Sequence, residues 1–477
     1  MDSMYFLNEE YTEHTEMPVY TKEELDYKSI TEYRIGAVDF SLLVTMWFLA
    51  LITSVRSFGR GLGILFLAIN LLLVIRKASN GILVLLLLFY APVLTLYIPR
   101  PFVFCSFIAL LGYCVHSCFT RISSFFNKFF VSIGVFLFFS GMLIFISPNY
   151  STAINYYMRY FEGFLAIILV FGLINSRESL GRMLKWWVIV ASLSLVISTI
   201  HYVIGDNSVL FDYMDAALKA AGPEGVQTFA YVDGWKYNRL LWPGSEANYF
   251  AAYLIIAFGI SIAFYSASLH KKYFWGICSL LIVIGVIGTF SRSGFLSTVF
   301  VLGLFLIRKN IRAIIPAGII VGLGFMTLQF LPGIQERILG IHFVVEQGAS
   351  GRFDLWKQAI SMFFKSPIWG NGLGSYFSVY GKVTHNTYVQ LLAETGVIGA
   401  VLYCFVIFLA LRNCYNVKKY YYNIKHPDVQ FFQIMIIAIL GLCLMIATIT
   451  FQDVKLLWMV CGACYLFCQL TKKELGY

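Results

Sequence analysis

Charged side chains are scarce in this 477-residue chain: Asp, Glu, Lys and Arg make up 13% of it, about half the share of a soluble globular protein. No cleavable signal peptide is expected, because the first 34 residues are acidic and polar rather than basic and then apolar. The sequence carries no internal repeat, no low-complexity stretch, no Walker motif and no Gly-x-Ser-x-Gly elbow. What fills the chain instead is apolar: 59% of residues are hydrophobic, 17% aromatic, and the mean hydropathy is +0.76. Its solvent is mostly lipid. A soluble enzyme with one anchor, a secreted disulfide scaffold and a disordered protein are all excluded, and dividing the length by 150 does not count domains.

None of the ten cysteines lies in a long polar loop, so no disulfide framework is implied. Cys461, Cys464 and Cys468 share one helical face, where packing in a closing span is favoured over a metal cluster. Neither a His-x₃-His nor a Cys/His cluster stands outside the apolar runs, so no metal site is expected.

Apolar runs between charge clusters predict an all-α polytopic membrane protein of about fourteen spans. They lie near 38–55, 61–75, 81–98, 102–118, 129–147, 160–175, 184–204, 247–267, 273–290, 294–307, 312–331, 387–411, 431–450 and 455–470. This divides the chain into an acidic cytoplasmic segment (1–34), an N-terminal bundle (35–204), an external loop (205–246), spans joined by a Ser-Arg-Ser-Gly turn (247–331), an external catalytic loop (332–384) and C-terminal spans (385–477). The formal charge of +10 belongs to span flanks, not to a nucleic-acid surface. With the N-terminus inside, 18 Lys and Arg fall in inner connections, against six in short outer ones (Arg56, Arg60, Arg100, Arg159, Arg292 and Lys455). The positive-inside bias thus puts both long loops on the external side.

Loop 205–246 holds Phe211, Tyr213, Phe229, Tyr231, Trp235, Tyr237 and Trp242 among Asp206, Asp212, Asp215 and Asp233. Flat rings beside carboxylates suit sugars, and equally suit anchoring at the bilayer interface. Loop 332–384 contains a candidate amphipathic helix, with Ser350 as its N-cap, Arg352 and Asp354 in its first turn and Pro367 as its stop. Such a helix would lie along the outer interface.

Polar groups near membrane depth are the candidates for chemistry. Arg292 lies in Thr289-Phe-Ser-Arg-Ser-Gly294, between two spans, where it could also simply snorkel. The run Pro367-Ile-Trp-Gly-Asn-Gly-Leu-Gly-Ser-Tyr376 looks like a phosphate cradle, but no strand precedes it; close backbone packing and a flexible turn both remain. His385 marks re-entry into the membrane, in Thr384-His-Asn-Thr-Tyr-Val-Gln-Leu-Leu-Ala-Glu-Thr-Gly396.

Together, Phe-Ser-Arg-Ser-Gly at 290–294, Gly-Arg-x₃-Trp at 351–356, Pro-x₂-Gly-x-Gly-x-Gly-x-Tyr at 367–376 and His-Asn-x-Tyr-x₂-Leu-x₂-Glu-x-Gly-x₂-Gly at 385–399 resemble the Wzy/O-antigen ligase superfamily. Pro243-Gly-Ser-Glu-Ala-Asn248 is similar to that family's Asn-bearing motif, in a loose form. The resemblance is specific over roughly 240–411. It implies a bacterial cytoplasmic-membrane glycosyltransferase, multi-pass, with its active site on the periplasmic or extracellular side. The family's two arginines fall on Arg292 and Arg352 as pyrophosphate ligands, and its histidine on His385 as the catalytic base. Ser291, Ser293, Asn386, Glu394, Tyr376, Asn248 and Glu246 fall in supporting positions. The implied partners are an undecaprenyl-pyrophosphate-linked glycan, an acceptor glycan, the bilayer and a chain-length regulator, with no cofactor, no metal and no nucleic acid.

Three functions compete on these motifs. One is a polymerase of lipid-linked repeat units, making O-antigen, capsule or exopolysaccharide. Another is a ligase or protein O-oligosaccharyltransferase of the same chemistry. The third is a lipid-linked sugar transporter, which the placement of charge at external span ends disfavours. The first is the expectation.

Overall fold

The computed structural model of the protein describes residues 69–71, 105–106, 108–109, 127–204, 229–232, 235–240, 247–267, 272–309, 349–423, 428–450 and 455–474. The acidic head, the expected spans at 38–55, 81–98 and 312–331 and nearly all of those at 61–75 and 102–118, together with Glu246 and His342, lie outside the described residues. Within them run α1 (Lys128–Met142), α2 (Tyr150–Leu173), α3 (Arg177–Ile204), α4 (Ala247–Ala267), α5 (Lys272–Gly288), α6 (Arg292–Lys309), α7 (Ala349–Lys365), α8 (Ser375–Tyr380), α9 (Thr387–Asn423), α10 (Val429–Ile446) and α11 (Lys455–Glu474). Among the described residues, five helices are long and apolar enough to cross a membrane: Tyr150–Leu173, Arg177–Val196, Ala247–Ala267, Thr387–Lys419 and Val429–Ile446.

Helix starts follow local capping. The Asn127 side chain accepts from the amides of Phe129 and Phe130 at 3.0 and 3.1 Å, which satisfies donors that an open N-terminus would leave bare. Asn149 does the same for Thr152 at 3.0 Å. That cap starts α2 ten residues ahead of the expected span at 160, and buried Ala153, Tyr156 and Tyr160 give the added turns a packed face.

The helices pack through aromatic clusters and small residues. Phe136 of α1 meets Tyr160 of α2, Tyr403 of α9 and Trp458 of α11, with ring centroids 5.3, 5.9 and 5.7 Å apart. A Cβ on Gly259 of α4 would stand 2.2 Å from that of Ala438 in α10, so this crossing depends on the missing side chain. Cys461, Cys464 and Cys468 are buried in α11, as the packing reading expected. Ion pairs tie distant segments: Arg177 at the start of α3 with Asp428 just ahead of α10, both buried, and Glu162 in the middle of α2 with Lys455 at the start of α11, at 2.6 Å.

One expectation is refined and one corrected. The described scaffold is helical, as expected, and β1 (Phe229–Val232) and β2 (Trp235–Asn238) add an antiparallel hairpin within loop 205–246. The signal was present in the sequence, because Asp233-Gly234 between runs rich in aromatic and β-branched residues is a strong two-residue hairpin pattern. Also, α7 begins at Ala349, so Ser350 lies inside its first turn and is not its cap. The helix ends at Lys365, ahead of Pro367, as expected. Its apolar residues divide between two faces. Leu355, Ala359 and Met362 pack with Tyr376 and Ala393, while Phe353, Ile360 and Phe364 are exposed.

Candidate functional site

The Ser291 hydroxyl accepts from the Gly294 amide at 3.2 Å, and its carbonyl takes the Phe295 amide at 2.9 Å. Ser291 thereby caps α6 and makes Arg292 its first residue. Ser293 supports the same turn, its hydroxyl 3.3 Å from that of Ser291. Arg352 occupies the first turn of α7. His385 stands just ahead of α9, whose cap is Asn386: its side-chain oxygen accepts from the amides of Tyr388 and Val389 at 3.0 and 3.1 Å. Arg292, Arg352 and His385 thus stand at the N-terminal ends of three different helices. Each such end carries partial positive charge, so placing arginines there costs stability until an anion arrives.

The three side chains are electrostatic neighbours. Burial lowers the pKa of Arg292, and the charge of Arg352 lowers it further. Burial also pulls the His385 imidazole down to about 4, again with the Arg352 charge adding to the effect. Arg352 therefore acts on both of the others. The ordinary histidine value near 6.5 thus does not hold for His385, whose neutral form is favoured near neutral pH.

Backbone geometry sets the site apart. Among the described residues, the non-glycine residues with positive φ are Phe290 and His385, both at +51°. One lies two residues before Arg292 and the other is the candidate base. Left-handed backbone is costly for side chains with a Cβ and persists only where the surroundings fix it.

Buried polar groups do that fixing. Next to Phe290, Arg239 is buried just past β2; its Nε donates to the Thr289 carbonyl at 2.9 Å and a terminal nitrogen to Asn248 Oδ1 at 3.1 Å. Asn248 thus bears on the Arg292 turn through Arg239, which the sequence reading had not singled out. Beside His385, Trp356 Nε1 donates to the Thr384 carbonyl at 3.0 Å. Tyr376 is fully buried, with its hydroxyl 3.0 Å from the Leu355 carbonyl and 3.2 Å from Gln358 Oε1. Burial pushes its pKa up to about 12, so it stays a neutral anchor for α7.

Between the two open readings of the glycine run, the structure selects close packing. Asn371 N donates to the Ala393 carbonyl at 3.2 Å, Gly372 N to that of Glu394 at 3.0 Å, and Val397 N to that of Pro367 at 2.9 Å. This pairing occurs where α9 breaks at Gly396, with φ 64° and ψ −169°. Buried Glu394 completes it, accepting from Gly374 N at 3.1 Å and from Gln390 Nε2 at 3.0 Å. Glu394 therefore holds the scaffold that carries α7 and α8. Gln390 was also missed, although 386, 390 and 394 fall on one helical face by spacing alone.

Arginines and a histidine at helix ends on a multi-helical membrane scaffold are what the motif resemblance led one to expect, and comparison with known proteins agrees at the level of the superfamily. Residues 277–404 match the family model described as O-antigen ligase. The chain is 24% identical over 305 residues to an exopolysaccharide production protein, ExoQ, of Rhizobium meliloti strain 1021. That match covers 58% of this chain and 63% of the relative, so the chain spans less than two thirds of the relative's length. Both matches support the Wzy/O-antigen ligase superfamily that the motifs resemble, a membrane superfamily of polysaccharide ligases and polymerases.

Proposed function

We propose that the protein is a polymerase of undecaprenyl-pyrophosphate-linked glycan repeat units, acting on the external face of the bacterial cytoplasmic membrane. The observation that carries this reading is Arg352 within electrostatic reach of both Arg292 and His385. In the reaction, the bond from the anomeric carbon to the donor's pyrophosphate breaks, and its electron pair leaves with undecaprenyl pyrophosphate. A hydroxyl oxygen of the acceptor glycan forms the new bond to that carbon, and its proton passes to the His385 imidazole and then to water. Arg292 and Arg352, aided by the helix ends beneath them, bind the phosphate oxygens and stabilise the charge that develops on the leaving group. This supplies in place of a metal the electrostatics that the step needs, so the reading is of metal-independent transfer.

The lowered pKa of His385 fits this sequence of events. Before the donor binds, burial, with the Arg352 charge adding to it, keeps the imidazole neutral and therefore able to accept a proton. A bound pyrophosphate reverses the sign of that surrounding charge and raises the basicity of His385 when the acceptor must be deprotonated. Donor binding thus primes the base.

A ligase reading stays alongside, because the matching family model is described as O-antigen ligase. Purified protein given lipid-linked repeat units separates the two. A ladder rising by whole repeats supports polymerisation; a single transfer to an added acceptor, with no ladder, supports ligation. His385→Ala should cut either product about 10²–10⁴-fold, with His342→Ala as control, and added chelator should change neither. Normal activity of His385→Ala would move the base to a carboxylate such as Glu246 or Asp233. Movement of lipid-linked units between leaflets without glycan lengthening or transfer would end the enzyme reading.

A further inference from the structure

We infer that Gln390 is a positioning residue for His385: a buried amide that locks the left-handed turn ahead of α9 and so aims the imidazole at the acceptor hydroxyl. The inference rests on the reading of His385 as the base. Gln390 is fully buried one turn into α9. Its Oε1 faces three donors, the Thr384 amide, the Thr384 hydroxyl and the Thr450 hydroxyl, each at 3.2 Å. Its Nε2 donates to Glu394 at 3.0 Å. One side chain therefore ties the residue before His385 to the end of α10 and to the carboxylate that holds the glycine run.

Both neighbours of His385 are clamped by this group. The Thr384 hydroxyl accepts from the Asn386 amide at 3.1 Å and lies 2.8 Å from the Asn386 carbonyl. The Asn386 carbonyl in turn accepts the backbone amide of Gln390 at 3.0 Å. With 384 and 386 fixed in this way, His385 is held at φ +51°.

Entry into a helix does not require that conformation. Asn149 caps α2 from extended backbone at φ −133°, and Pro148 ahead of it has its φ fixed by its ring at a negative value, so an Asn-capped helix starts here without a left-handed residue before the cap. The strained histidine is thus a property of this site and not of Asn-capped helices. Strain held by a dedicated buried network, at the residue proposed to move a proton, points to alignment as the network's role.

The test uses full-length protein in membranes as the cells' only copy, reading the rate of labelled sugar incorporation into polymer. Binding of undecaprenyl pyrophosphate to the purified protein and its unfolding temperature are followed in parallel. Gln390→Met keeps the volume and removes the amide; a misaimed base should cut the rate about ten- to a hundredfold while binding stays within about twofold of wild type. Thr384→Val should behave the same way, and Thr384→Ser, which keeps the hydroxyl, should restore the rate. In a His385→Ala background, Gln390→Met should cost nothing further, because a residue that acts through His385 has nothing left to align. An equal loss in both backgrounds, or loss of binding in step with rate, would overturn the inference. Wild-type rate in His385→Ala would instead sink the base reading on which it rests. Should Gln390→Met fail to fold, the Thr384→Val and Thr384→Ser pair carries the same comparison.

Discussion

Trp356 donates its indole N–H to the Thr384 carbonyl at 3.0 Å, one helical turn after Arg352 and one residue before His385. This bond joins the helix that carries an arginine to the turn that carries the histidine. It gives a structural reason for the tryptophan in the Gly-Arg-x₃-Trp motif: at i+4 it lies on the same side of α7 as Arg352. Cation and imidazole are therefore held in one frame, and their mutual electrostatics should be measurable.

The first expectation concerns pH. The His385 pKa is about 4 in the folded protein and near 6.5 unfolded. The unfolded chain takes up its proton first as pH falls, so the contribution of this group to stability is intact above about 6.5 and is lost progressively down to about 4. The same site predicts a shift with ligand. The acidic limb of the rate should lie at lower pH with limiting donor than with saturating donor, because bound pyrophosphate raises the imidazole's basicity. Coincident limbs at both donor levels would argue against His385 next to the pyrophosphate.

The arginines should be intolerant of lysine. Arg292→Lys and Arg352→Lys keep the charge and lose the planar fork, so activity should fall by one to a few orders of magnitude, about 1.5–4 kcal/mol of transition-state stabilisation. Arg56→Lys and Arg60→Lys, which lie outside the motifs, serve as controls and should be nearly silent. Initial rates on lipid-linked donor in membranes decide this. Four variants of equal activity would remove the pyrophosphate clamp.

The glycine run should divide sharply by position. A Cβ on Gly370 would stand 2.3 Å from the Glu394 carbonyl oxygen at φ +77°, whereas Gly381 has φ +66° and open space around it. Gly381→Ala therefore meets only the backbone cost, about 1 kcal/mol. Gly370→Ala must also push apart the paired segments at the break in α9, and should lower the unfolding temperature much further. Similar melting of the two variants would mean that the pairing of 367–372 with 393–398 is soft.

Much of this was legible in the sequence. The nine helices expected as spans among the described residues begin or end near the charge clusters that bounded their apolar runs. Of the motif residues, Arg352 does lie within electrostatic reach of both Arg292 and His385. What stayed hidden depends on contacts between distant segments: the carbonyl pairing that gives the glycines their purpose, Arg239 reaching the Thr289 carbonyl 50 residues on, and Gln390 meeting Thr450 60 residues on. A lone Gln or Arg in an apolar neighbourhood carries no periodic signal, so only the fold reveals its partners. The early start of α2 was missed for a different reason. Its first turns are polar enough to read as a loop, and Asn149 was not weighed as a cap.

Orientation is the last expectation, and the proposed chemistry depends on it. Eighteen basic residues in inner connections against six in short outer ones assign loops 205–246 and 332–384 to the external side. A cysteine introduced near Tyr237 or near Ser350 should react in intact cells with a thiol reagent that cannot cross the membrane. One near Lys419, at the far end of α9, should react only after the cells are opened. The eight described cysteines add little background to this assay: six are buried, Cys443 is half-buried and Cys404 is exposed within a helix read as membrane-spanning. Labelling near Lys419 in intact cells, with silence at both loop positions, would put Arg292, Arg352 and His385 in the cytoplasm. A lipid-linked glycan presented on the outer face could not reach them there, and the polymerase and ligase readings would fall together.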